Sequence, residues 1–161
     1  MSRAGDTPVP LAPRSAARLG AVQALYQMDL AQTDLAAVIG EFLASRVGPR
    51  AEDRALADAD TTFFRELLKG VVERQREIDP LVDQQLAHGW RLTRIDSILR
   101  AVLRAGVFEL LERSDVPAKV VINEYIQVAH AFLSGDEPRV VNGVLDKLAR
   151  RLRPQEFPPA P

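Results

Sequence analysis

The chain has 161 residues, 47% of them apolar and 27% charged, with 21 lysines and arginines against 22 aspartates and glutamates. That mix provides apolar surface for one core, or for two tightly packed subdomains. The absence of cysteine excludes disulfides and thiolate metal sites and points to a reducing, cytoplasmic compartment. No apolar h-region follows Arg3 and Asp6, and no run nears the roughly eighteen apolar residues of a membrane helix, so neither a secretory signal nor a span is expected.

Residues 1–13, MSRAGDTPVPLAP, lack any period and are expected to form a disordered arm. A first helix follows, with Leu19, Val22, Leu25, Tyr26 and Met28 on one buried face. Asp34 is placed to N-cap a second helix carrying Leu35, Val38, Ile39, Phe42 and Leu43. The polar stretch SRVGPRAEDRALADAD reads as a loop with room for a short helical turn. A long third helix starts near Asp60 or Thr61; Asp79-Pro80 is expected to end it and open another, with Asp79 as N-cap and Pro80 in the first turn.

Thr93-x-x-Asp96 resembles a capping box. The helix after it is apolar around most of its circumference (Ile98, Leu99, Val102, Leu103, Val107, Leu110), which predicts a central position. Ser114 to Pro117 breaks the chain before AKVVINEYIQVAHAFL, and Gly135 to Pro138 turns into RVVNGVLDKLARRLR. Val120-Val121-Ile122 is the nearest approach to a strand, and its helical continuation outweighs it. The last eight residues, PQEFPPAP, read as a disordered tail. The expectation is an all-α fold of about seven helices over residues 14–153, flanked by an arm at 1–13 and a tail at 154–161.

Catalytic constellations are missing. The only histidines, His88 and His130, lack the Glu-x-x-His and H-E-x-x-H patterns of helical metal sites. Neither a glycine-rich phosphate loop nor a nucleophile elbow occurs. Acidic pairs such as Glu109 and Glu112 have the spacing of any solvated helix face. An enzyme is not expected, nor a metal or cofactor.

The near-zero net charge is neutral on nucleic acid, because phosphates respond to local patches. Two segments are basic. Arg14 and Arg18 lie four apart at the entry to the first helix, with Arg3 on the arm before them. Arg139, Lys147, Arg150, Arg151 and Arg153 line the last helix against Asp146; basic residues there also complement the helix dipole. Tyr26 and Phe132 offer rings for stacking single-stranded bases, although an aromatic at helical spacing is more often core. Asp136 is a candidate N-cap, or an acceptor for a base amino group.

At these residues the sequence resembles the NusB family. The matching stretches are ARLGAVQALYQMDL, FFRELLKGV, ILRAVLRAGVFELLERSDVPAKVVINEYIQVAHAF and RVVNGVLDK, over roughly residues 14–153. The resemblance implies two small helical bundles and transcription antitermination without catalysis. It implies binding to boxA-type single-stranded RNA of ribosomal RNA leaders, together with NusE, a small-subunit ribosomal protein, within an RNA polymerase elongation complex with other Nus factors. The family's arginine motif falls on Arg14 and Arg18, its first-helix Gln and Tyr on Gln23 and Tyr26. Its RNA-facing residues near the last turn fall on Phe132, Asp136 and Arg139.

There are departures from the family pattern. Consecutive arginines in better-known members are here Arg14-Ser15-Ala16-Ala17-Arg18, and Val140 stands where an aromatic can occur. Fewer phosphate contacts imply weaker binding by this chain alone and dependence on its partner for affinity. Two alternatives remain at this point. One is an RNA-binding accessory domain related to rRNA cytosine methyltransferases, opposed by the lack of a Rossmann-like segment and a catalytic cysteine. The other is a protein-interaction bundle that has lost RNA binding.

Overall fold

The computed structural model describes residues 11–86 and 95–159. Six α-helices follow one another in them: α1 (Pro13–Ala31), α2 (Leu35–Ser45), α3 (Thr61–Gln85), α4 (Ser97–Glu112), α5 (Ala118–Phe132) and α6 (Glu137–Leu152). Short 3₁₀ turns lie at Arg54–Leu56 and Pro154–Glu156. The fold is all-α, as the periodicity predicts. No described helix is long and apolar enough to cross a membrane.

Aspartates start the middle helices. Asp34, Asp60 and Asp96 accept from the backbone N–H groups of Ala37, Phe63 and Ile98 at 2.8, 2.9 and 2.8 Å, satisfying donors that a first turn leaves orphaned. Asp96 is thus itself the cap of α4 and not the third helical residue after a Thr93 cap. Thr93, like His88, lies outside the described residues.

The predicted break at Asp79-Pro80 is not observed, which is why six helices replace the expected seven. Pro80 sits inside α3, on its exposed side. An interior proline costs about 3 kcal/mol. Two features offset that cost. Ile78 and Val82 on either side are fully buried, and Asp79 is gripped from α4 by Arg104 through two bonds of 2.9 Å, so its carboxylate is not free to cap a new helix.

α4 is central: it packs against α1, α3, α5 and α6. On one side α1, α2 and α3 bury Phe42, Phe63, Phe64, Leu67 and Leu68, with the Phe42 and Phe64 rings stacked at 6.0 Å. On the other, α4, α5 and α6 bury Leu103, Tyr125 and Leu145. Close helix approach is built in at Gly70, where an added Cβ would lie 2.1 Å from the Phe108 ring.

Both ends of the helical region differ from the expected limits. Leu11, assigned to the arm, donates its N–H to the Ala55 carbonyl at 3.0 Å, and α1 begins at Pro13, inside that arm. The Pro154–Glu156 turn, assigned to the structureless tail, docks on α5: Glu156 accepts from the Ala118 N–H at 2.9 Å. α5 starts on Pro117, which has no side-chain cap of its own, so this carboxylate takes the place of one.

Candidate nucleic-acid interface

One face of α1 stays out of the core. Gln23, Tyr26, Gln27 and Leu30 recur at three- and four-residue steps along it and line a cleft of about 460 Å³ with Arg46, Ile98 and Phe132. Tyr26 and Phe132 are each 37% exposed and Leu30 59%, so three large apolar side chains stand open along one cleft. Phe132 is held there as the last residue of α5; the chain then turns through Gly135, whose φ of 65° favours glycine.

The polar groups of the cleft complete its chemistry. The side-chain oxygen of Gln23 is buried and has no hydrogen-bond partner, an arrangement that is costly unless a ligand or water supplies a donor. Gln27 donates to Glu41 at 2.9 Å, and the Arg46 guanidinium lies 4.7 Å from the centre of the Phe42 ring. Two ring faces, an unpaired acceptor and a cation suit a planar heterocycle carrying N–H donors and a nearby negative charge.

Arg14 and Arg18 share a face, as their spacing predicts, but it is not the face of the cleft. Both guanidinium groups lie over the Phe63 ring of α3, at 5.4 and 5.2 Å. The Arg14 side chain is 46% exposed and reaches Asp115 at 3.8 Å. Arg18 is buried, which corrects its assignment to an RNA-facing surface. Its Nε and Nη2 donate to the Glu109 carboxylate at 2.6 and 3.0 Å, and the Tyr125 hydroxyl donates to the same carboxylate at 2.7 Å. Burial opposes the Arg18 charge, yet the hydrogen bond and charge of Glu109 hold its pKa above the ordinary arginine value. Burial, then the Glu109 charge, pushes Tyr125 well above the usual phenol range.

Asp136, in the turn that follows Phe132, and Arg139, in the first turn of α6, are almost fully exposed and 4.0 Å apart. Asp136 occupies the N-cap position of α6 but its side chain makes no capping bond. Arg153 does not belong to the basic surface of the last helix. It is 4% exposed and donates to the carbonyls of Glu109, Leu110, Arg113 and Val116 at and beyond the end of α4, those of Glu109 and Arg113 also accepting from the Arg113 and Val116 N–H groups.

The structure thus brings Gln23, Tyr26 and Phe132 into one cleft, leaves Asp136, Arg139 and Arg14 on the surface outside its lining, and removes Arg18 to the interior. Sequence reasoning missed Gln27, Leu30, Arg46 and Ile98. The first two carry a legible signal, since they lie four and seven residues after Gln23 on the same helix face; nothing local marks the other two.

Residues 15–150 match the model of the NusB family. The transcription antitermination protein NusB of Maricaulis maris (strain MCS10) is 54% identical over 144 residues, spanning 89% of this chain and 90% of its own. That of Rhodopseudomonas palustris (strain TIE-1) is 52% identical over 144 residues, spanning 89% and 83%. The structure of T. maritima NusB superposes with a TM-score of 0.76 at 28% identity, covering 91% of this chain and 98% of its own.

Proposed function

Because the chain belongs to the NusB family of transcription antitermination factors, we propose that it acts in the cytoplasm by binding boxA-type single-stranded RNA of nascent ribosomal transcripts, together with NusE, within the elongating polymerase complex with other Nus factors. The family is one of non-catalytic RNA-binding adaptors, and the chain is not an enzyme.

The observation that carries the RNA reading is the cleft in which Tyr26 and Phe132 lie half-open beside the unpartnered oxygen of Gln23. The two rings stack bases, and the Gln23 oxygen accepts from a base N–H that would otherwise bond to water. Arg139 and Arg14 contact phosphates, and Asp136 accepts from a base amino group at the edge of the cleft. Arg18 works through Glu109, fixing α1 so that its outer face keeps its place. With few free arginines at the start of α1, the chain alone binds weakly, and NusE raises affinity by adding its own surface to the same RNA.

The test is a fluorescence-anisotropy titration of labelled boxA-type RNA with this protein, with and without NusE, at two salt concentrations. Salt-sensitive binding that tightens with NusE and is lost in Tyr26→Ala and Phe132→Ala supports the reading. Absence of binding at low salt with NusE present overturns it and leaves a protein-interaction bundle.

A further inference from the structure

The lining of the cleft includes one cation, Arg46, whereas Arg139, Lys147, Arg150 and Arg151 are exposed on α6. α6 starts after the four-residue turn that follows Phe132. Arg139, Gly143, Lys147 and Arg150 recur on α6 at three- and four-residue steps, so they form one stripe along its outer face. From Arg139 to Arg150 the stripe runs about 16 Å along the helix axis.

The cationic side chains on this stripe are open to solvent. That of Arg139 is 88% exposed and that of Arg150 60%; Lys147 is exposed and makes no ion pair among the described residues. The guanidinium of Arg150 lies 4.8 Å from the centre of the Phe157 ring, and its one ion pair among the described residues is with Asp146 at 3.0 Å. Between the cations Gly143 opens the helix backbone: a Cβ there would meet nothing within 4 Å. Beside it runs a groove of about 380 Å³ between the end of α3 and α6, lined by Gln84, Leu86, Val140, Gly143 and Lys147.

We propose that single-stranded RNA leaving the Tyr26–Phe132 cleft continues along this stripe, its phosphates on Arg139, Lys147 and Arg150, so that nucleotides flanking the core element belong to the footprint. The inference rests on the RNA-binding reading and extends it. Two features favour a polyanion over an acidic protein surface. The cations are spaced in a single file, as a backbone requires, and the file begins seven residues after Phe132 of the cleft, across one short turn. The contacts are with phosphate and sugar, so they add affinity and salt dependence without reading sequence.

The experiment uses the full chain and three RNAs: the core element alone, and the core lengthened with uridines at either its 5′ or its 3′ end. Wild type is compared with Lys147→Ala/Arg150→Ala and with the charge-reversed Lys147→Glu/Arg150→Glu, each checked for unchanged helical content by circular dichroism. For wild type, one lengthened RNA should bind tighter than the core with a steeper salt dependence. The alanine pair should reduce that slope by about 1.4, at about 0.7 per lost phosphate contact on a single strand, and leave binding of the core unchanged.

A lengthened RNA that gains nothing, or gains as much in the variants, overturns the stripe. If wild type binds the lengthened RNA through Lys147 and Arg150 but not the core, the cleft reading fails and the stripe stands. If no RNA binds, both fall. Variants that change only the capture of a protein partner assign α6 to that partner and overturn the RNA track.

Discussion

The Arg18 guanidinium and the Glu109 carboxylate, 91 positions apart in the chain, meet in the interior with both side chains almost wholly out of solvent. Tyr125 donates to the same carboxylate, and Ser15 and Arg18 both reach Glu124 from α1. α1, α4 and α5 are thereby tied at one point. Removing one member of a buried pair strands the other charge, at a cost of about 3–5 kcal/mol. Arg18→Ala should lower stability by that amount in urea unfolding. The triple change Arg18→Met/Glu109→Leu/Tyr125→Phe should lose clearly less, because no charge or hydroxyl is stranded. A small loss in Arg18→Ala would show that water reaches Glu109.

Arg153 gathers four backbone carbonyls from α4 and the loop behind it. Without Arg153 the Glu109 and Arg113 carbonyls keep a backbone donor, and the Leu110 and Val116 carbonyls lose theirs, at about 1–3 kcal/mol each unless water reaches them. Arg153→Ala is therefore expected to destabilise by about 3 kcal/mol after partial rehydration. Arg153→Lys should recover little, since one ammonium cannot span the same acceptors as a guanidinium fork. Thermal unfolding of the two variants distinguishes this from a solvated surface arginine, for which both changes would be near neutral.

The Ala118 N–H, joined by Arg153, holds the Glu156 carboxyl below the ordinary glutamate range, against slight desolvation. A depressed acid contributes stability above its unfolded pKa and loses it as pH falls through the folded value. The dock of the Pro154–Glu156 turn on α5 should therefore persist at neutral pH and loosen only at acid pH, below where a free glutamate titrates. The Ala118 amide proton shift, followed by NMR, should titrate there in the wild type and stay flat in Glu156→Gln. Titration in the ordinary glutamate range would mean that the carboxylate is not bound.

Tyr26 and Phe132 are predicted to matter for RNA more than for folding. Truncating a stacking ring costs about 1–3 kcal/mol per base, so Tyr26→Ala and Phe132→Ala should each weaken boxA-type RNA binding by roughly tenfold or more. Both side chains are only partly buried, so the loss of stability should be smaller than for Phe63→Ala or Phe64→Ala in the core, where about 3–5 kcal/mol is expected. Equal losses in affinity and stability would return both rings to a packing role.

Two glycines should respond in opposite directions. Gly40 in α2 has open space where a Cβ would stand, so Gly40→Ala should stabilise by about 0.5–1 kcal/mol through helix propensity. At Gly70 the Phe108 ring already fills that space at 2.1 Å, and Gly70→Ala should destabilise by about 1–3 kcal/mol as the ring is forced aside. Melting temperatures of the pair, measured side by side, check both signs.

Helix period, the Asp34 cap and the apolar girth of α4 were legible in sequence, because each is written within a few neighbouring residues. The departures share a different origin. Pro80 breaks no helix because Arg104, on another helix, occupies the carboxylate that would have capped a new one. Arg18 and Arg153 looked like surface cations because their counter-charges and carbonyls lie far along the chain. Glu156 could not be seen as the cap of α5 from a proline-rich tail. In the cleft, Gln23 and Tyr26 follow from one helix, whereas Arg46, Ile98 and Phe132 join them only once α2, α4 and α5 are packed.

The long span between Arg18 and Glu109 also bears on how the protein is made. During synthesis N-terminal segments emerge first, at about 5–20 residues per second, so Arg18 leaves the ribosome several seconds before the carboxylate that will neutralise it. α1 can form early, but its inner face holds an unmatched cation until α4 is out, and the end of α4 stays open until Arg153 follows. The last helix to be translated closes the helix that organises all the others, so a nascent chain stalled before Arg153 should remain protease-sensitive even with α1 to α5 complete.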